Sequence, residues 1–232
     1  MNMLIERTKA AARRKKRLGT PPSKRRGHIQ AVDLDDVGMP GADLRDRRGQ
    51  EVDLNGRDMV ALHEAGHAVA AVVLGLPLRS VDIVRRLLPN GRISLGYTDC
   101  PIRSKECSIE ALMPGMILSA AGPLAEISAN PDAAAGGAFD SDLADIDRMA
   151  AIAVCKAQKV LGGRSFIPPE EIEKNAEEIE KVRKLAMTEA VELVNRHANA
   201  INTVAELLLR HESLDKSAVE AAVKASTPAD LN

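Results

Sequence analysis

Apolar positions run almost without interruption from Asp58 to Leu74, long enough for a buried helix, and Gly75 with Pro77 beyond it supplies the stop. The period then changes. Val81 and Ile83 alternate with Ser80 and Asp82, and Ile93, Leu95 and Tyr97 alternate with Ser94, Gly96 and Thr98. The Pro89-Asn90-Gly91 turn between them predicts a small antiparallel pair. Apolar density returns over Ile109 to Ala129, a second helix broken or kinked at Pro114 and Pro123. A glycine- and alanine-rich loop, Asn130 to Ala138, leads to a third helix from about Ser141 to about Val160. After Gly162-Gly163, Pro168-Pro169-Glu170-Glu171 opens a long amphipathic helix. Its stripe is Ile172, Ile179, Val182, Ala186, Ala190, Leu193 and Val194. Shorter helices, Asn199 to Arg210 and Asp215 to Val223, finish the chain. The pattern is that of an α+β, mainly helical fold with one small β-sheet.

Residues 1–55 have few apolar positions and read as a flexible, basic arm, which leaves 56–232 as the folded domain. Ten Lys and Arg residues crowd the stretch from Arg7 to Arg26. Such a run is a solvated tail; nucleic acid is the partner it would otherwise suit, but no aromatic residues are interleaved for base stacking. Aromatic residues are 1% of the chain, so the core has to be built from Ala, Val, Leu, Ile and Met, which favours close-packed helices. The basic start lacks the apolar stretch of a secretory signal. The longest apolar run, Ala68 to Leu78, is too short to span a bilayer, so no transmembrane segment is expected. Cys100, Cys107 and Cys155 show no C-x-x-C spacing and read as reduced thiols of a cytoplasmic protein.

Three polar side chains interrupt the first helix between Val60 and Leu74, and they are His63, Glu64 and His67. Four residues apart, the histidines share a face and can grip one metal ion. Glu64 lies beside that ion without having to bind it. This is the H-E-x-x-H pattern, which holds Zn²⁺ and sets a general base next to its water. Two hydrogen-bonded core histidines are the plain alternative, but burying three polar groups is costly unless something satisfies them. Gly66 costs about 1 kcal/mol in a helix relative to alanine, which points to close packing there. A catalytic zinc needs a third protein ligand. His28 lies in the arm, while His197 and His211 read as surface or capping residues. Candidates are therefore one carboxylate of Asp140, Asp142, Asp145 and Asp147 at the start of the third helix, or Glu126 on the second.

The chain resembles the peptidase domain of the FtsH family of zinc proteases across roughly residues 56–225. The resemblance is carried by His63-Glu64-Ala65-Gly66-His67-Ala68, by Leu95-Gly96-Tyr97-Thr98, by Ala121-Gly122-Pro123-Leu124-Ala125-Glu126 and by Ser141-Asp142-Leu143. The run from Leu193 to Val223 is similar to that domain's closing helices. It implies a zincin-type peptidase with one zinc per chain, held by His63, His67 and Asp142, and with Glu64 as base. It also implies a substrate strand made of Ile93, Leu95, Gly96, Tyr97 and Thr98. Pro123 and Leu124 depart from the family's second motif, and the loop before Asp142 differs. The phosphate-loop pattern G-x-x-x-x-G-K-[ST] does not occur, and the family's ATPase module and membrane anchor are not expected.

The expected activity is zinc-dependent endopeptidase cleavage of unfolded or flexible protein segments, independent of ATP in itself. Its partners would be a protein or peptide substrate, with a homo-oligomer or a separate ATPase as further associations. The rival reading is an inactive zinc-bound adaptor that binds peptides, a partner ATPase or nucleic acid; Glu64 speaks against it, because a structural site has no need of a base.

Overall fold

The computed structural model describes residues 56–87, 93–102, 106–130, 140–155 and 167–226, all within one compact unit, Val37–Asn232. The basic arm, the Pro89-Asn90-Gly91 turn and most of the glycine- and alanine-rich loop lie outside the described residues, as does the third helix beyond Cys155.

Helix α1, Arg57–Val73, is the axis around which the other elements pack. It opens after Gly56, whose positive φ of 99° suits glycine. It closes at Gly75, φ 67°, where Gly75 N–H donates to the Val72 carbonyl and Leu76 N–H to that of Ala71. That is the Schellman arrangement for a left-handed glycine after a helix. Two three-residue strands and a pair of two-residue strands follow: β1 Ser80–Asp82, β2 Arg86–Leu87, β3 Ile93–Ser94 and β4 Tyr97–Asp99. Then come α2 Ile109–Ala129, α3 Asp140–Cys155, α4 Pro169–Lys174, α5 Ala176–Arg196, α6 Ala198–His211, β5 Ser213–Asp215 and α7 Lys216–Ser226.

The fold is mainly helical with a small antiparallel sheet, and it corrects the sequence reading at three points. The expected strand pair is two ladders: β1 pairs with β4, Val81 opposite Thr98, and β2 with β3, Arg86 opposite Ser94. A further strand, β5, joins β1 on its other side, Leu214 opposite Val81, giving the order β4-β1-β5. Second, of the break or kink expected at Pro114 and Pro123, the break is absent, since α2 is one continuous helix through both. Ser108 caps it, its Oγ accepting from Ala111 N–H, and burial against α1, α3 and α5 outweighs the two missing backbone donors. Third, the long amphipathic stripe is divided at Asn175 into α4 and α5, with the Asn175 amide donating to the Glu171 carbonyl.

Among the described residues the buried apolar side chains are Ala, Val, Leu, Ile and Met together with Pro123, and Tyr97 is 55% exposed. Small side chains let α1 and α2 approach closely. A Cβ placed on Gly66 would lie 2.5 Å from the Ala121 carbonyl oxygen and 2.9 Å from Ala125 Cβ. Helix α2 is also long and apolar enough, by length and composition, to cross a membrane, a property the run Ala68–Leu78 did not disclose. Of its most apolar window, 61% is buried inside the protein, as befits a core helix.

Candidate active site

Helix α1 carries His63, Glu64 and His67 into the interior on the sides facing α2, α3 and β4. His67 is largely buried at the α1–α2 crossing. Its Nδ1 donates to the Leu118 carbonyl at 2.7 Å, which fixes the neutral ring with Nε2 as an acceptor. On His63, Nδ1 is 3.0 Å from Glu126 Oε2 on α2. Both outer nitrogens are thus occupied, and the two Nε2 atoms turn towards each other at 3.1 Å. Asp142, in the first turn of α3, brings Oδ2 to 3.4 Å from His63 Nε2 and Oδ1 to 3.6 Å from His67 Nε2.

These three side chains could hold a metal ion, since one ligand atom from each lies within 4.8 Å of the others. The donor chemistry fits zinc. At Zn–N bonds of about 2.0–2.1 Å, tetrahedral coordination separates two ligand nitrogens by roughly 3.3 Å. Two neutral imidazoles would otherwise set lone pairs against each other across that gap. A proton carried on one Nε2 would let it donate to the other. Burial opposes charge on His63, but Asp142 and Glu126 beside it prevail and lift its pKa to about 9. Burial and the neighbouring His63 charge push His67 down to about 4. Burial also acts to raise the Asp142 carboxyl, but its contact with His63 overrides this and holds it below the ordinary range. An ion seated there would replace the shared proton.

Glu64 is 8% exposed and stands apart from this group. Its Oε2 accepts from the Thr98 hydroxyl of β4 at 2.7 Å. Burial raises its pKa to about 7, against the opposing effects of Thr98 and the His63 charge. Gly96 lies against it: a Cβ there would be 2.7 Å from Glu64 Cγ and 2.9 Å from the Asp82 carbonyl oxygen. His63, Glu64, His67 and Asp142 open together onto a cavity of about 310 Å³, walled on the far side by Gly96, Tyr97 and Thr98. The cavity is open to solvent, and β4 is the outer strand of its sheet.

Glu126, an alternative third ligand from sequence, is instead the outer partner of His63, because Asp142 already occupies the inner side. Of the other aspartates, Asp145 borders the cavity and pairs with Arg148, and Asp147 pairs with the buried Arg183 of α5. Of the expected substrate strand, Gly96, Tyr97 and Thr98 line the cavity, whereas Ile93 and Leu95 stand off it, exposed. His197 and His211 sit at helix ends, and the three cysteines are free. Sequence reasoning missed Cys100 at the cavity edge and the contact of Gly122 with the His67 ring, where a Cβ would clash with Nε2. Glycine inside an apolar helix was the available signal for the second.

A mainly helical domain with a solvent-open cluster of two histidines and an aspartate, beside a buried carboxylate, is thus in hand. The chain is similar to an ATP-dependent zinc metalloprotease FtsH of Oenococcus oeni, 27% identical over 231 residues. The likeness covers 88% of this chain and 31% of the relative, so the chain spans about a third of that protein's length. No family model matches it.

Proposed function

We propose that the chain is a zincin-type endopeptidase that uses zinc to hydrolyse peptide bonds in unfolded or flexible protein segments, and that bond cleavage itself needs no nucleotide. One observation carries this reading: Glu64 is a buried carboxylate opening onto the same cleft as the candidate ligands, held by a hydroxyl rather than by a counter-ion. Structural zinc sites are closed by four protein ligands, and a base beside one has nothing to do. Here three candidates leave a side facing the cleft.

His63, His67 and Asp142 would hold the ion, which when bound supplies Lewis acidity towards water and the scissile carbonyl. Glu64 takes the proton of the attacking water and passes it to the leaving amine nitrogen. Thr98 keeps that carboxylate turned into the cleft. Glu126 and the Leu118 carbonyl orient the two imidazoles, as outer partners of metal-ligating histidines do. An extended peptide lies along the outer edge of β4, where backbone pairing selects unfolded segments over native domains. The resemblance to an ATP-dependent zinc metalloprotease supports the peptidase part of this reading.

The test compares the parent with Glu64→Gln for bound zinc and for hydrolysis of an unfolded casein, with and without ATP. Expected are about one zinc per chain in both proteins and ATP-indifferent cleavage by the parent. The variant should lose cleavage by a factor on the order of 10³ or more. Equal cleavage by the variant would refute the role of Glu64. Zinc without cleavage in the parent would favour the adaptor reading, and absence of zinc from both would refute the metal site.

A further inference from the structure

The two ladders beside the cleft are formed by the same two stretches of chain, 80–87 and 93–99, running antiparallel. In the first ladder Asp82 lies opposite Tyr97, and in the second Arg86 lies opposite Ser94. Between these pairs stand Ile83, Val84 and Arg85 on one side, but only Leu95 and Gly96 on the other. One residue too many on one strand is a β-bulge, and it displaces the register by one position from one ladder to the next. A slip of one position turns side chains to the opposite face of a strand. The bulge therefore decides which residues of the facing strand meet Glu64.

The bulge is held by named contacts. Ile83 N–H donates to the Glu212 carbonyl at 2.9 Å, and Val84 N–H donates to Asp82 Oδ1 at 3.0 Å. Asp82 is buried, and its two oxygens accept from the two terminal nitrogens of Arg86 at 2.7 Å each. This fork runs from the last residue of β1 to the first of β2, so it spans the bulge. A planar guanidinium can grip both oxygens of a carboxylate at once, and an ammonium cannot. On the facing strand the Ser94 hydroxyl donates to the Gly96 carbonyl. The register demands glycine at 96. The room its Cβ would need is taken by Glu64, 2.7 Å away at Cγ and 2.8 Å at Oε1, and by the Asp82 carbonyl oxygen at 2.9 Å. Two positions on, and so on the same face, Thr98 reaches Glu64 Oε2. Leu95 and Tyr97, both more than half exposed, alternate with them.

We infer that Asp82 and Arg86 are positioning residues for the proposed reaction: their fork pins the bulge, and the register so fixed sets Gly96 and Thr98, rather than the bulky Leu95 and Tyr97, against Glu64. The inference rests on the peptidase reading. Its test uses the full chain loaded with zinc and compares the parent with Arg86→Ala, a change at a side chain 43% exposed. Bound zinc, kcat and KM on a fluorogenic unfolded casein, and hydrogen exchange of residues 93–99 by mass spectrometry are measured. In the variant kcat should fall about tenfold or more, while KM stays within about threefold and zinc is retained. Exchange over 93–99 should quicken by about fivefold or more, with α1 unchanged. Methylguanidinium, which fits the vacated fork, should return kcat to within about threefold of the parent. Thermal melting checks folding, and Arg86→Lys, which cannot grip both oxygens, repeats the comparison should the alanine variant fail to fold. Parent-like kcat in the variant overturns the inference and spares the peptidase reading. So does a lowered kcat with parent-like exchange over 93–99, or one that methylguanidinium fails to lift. Loss of zinc from the variant would trace the effect to the ligands and overturns it too. No cleavage by the zinc-loaded parent overturns both readings.

Discussion

The two walls of the cleft are built by different means. On one side are the crossed helices α1 and α2, whose backbones meet at Gly66 and Gly122 with no room for a methyl group. On the other are strands two or three residues long, with Tyr97 and Leu95 more than half exposed. The helical wall carries His63, His67 and Glu64 and fixes the imidazoles from behind through Glu126 and the Leu118 carbonyl. The strand wall touches the chemistry through one hydroxyl, Thr98, and one bare backbone position, Gly96. On the proposed reading, groups that would have to sit within a fraction of an ångström of a metal are placed where packing leaves a single arrangement, and groups that would meet varied peptides where the structure can adjust. The two walls should therefore fail differently. Damage to the helices should appear first in zinc affinity, and damage to the strands in turnover with zinc retained.

The largest separation is expected for Gly122→Ala. The new Cβ would press on the edge of the His67 ring, nearest to Nε2 and 2.6 Å from Cε1, so the ring must swing away or the helices must part. Zinc affinity, read by competition with a chromogenic chelator, should fall by about 100-fold or more. Unchanged affinity would show that the helical wall is not rigid.

Glu126→Ala comes next. His63 keeps its place on α1 but loses the acceptor that sets its ring, and loss of such an outer partner weakens metal binding about 10–100-fold. Glu126→Gln, which still offers an acceptor oxygen, should cost less than about tenfold. If Gln proved as harmful as Ala, the charge of Glu126 rather than its hydrogen bond would be what His63 needs.

The same contrast explains how much of the molecule could be read from its sequence. Helix α1 and the shared face of its two histidines were legible because every constraint on them is local: a long apolar run, two histidines one turn apart, a glycine stop. Asp142 was named by resemblance to a family, and spacing alone left it among four aspartates and Glu126. The packing of α3 against α2 is what brings Asp142 to the two imidazoles, and no window of sequence contains it. Strand β5 went unread for the opposite reason. Ser213-Leu214-Asp215 is too short to show a period and is a strand only because β1 passes beside it. The prolines of α2 misled because a local penalty was weighed without the burial that offsets it. The Asn175 break was hidden because the apolar stripe continues across it.

The smallest effect, and the one that isolates the strand wall, belongs to Thr98→Val. Valine keeps the β-branched shape that β4 favours and removes the hydroxyl that donates to Glu64 Oε2. Zinc content and melting temperature should stay with the parent, because Thr98 contacts neither imidazole in the described contacts and is only part-buried. Turnover should drop by about tenfold, as a carboxylate left to turn in the cleft spends less time aligned with its water. Thr98→Ser, which retains the hydroxyl and discards the methyl, should restore most of the rate. If serine fails where valine failed, β4 acts through its shape and not through this hydrogen bond. If valine turns over like the parent, Glu64 is positioned from within α1 alone, and the strand wall would be left with recognition as its one task.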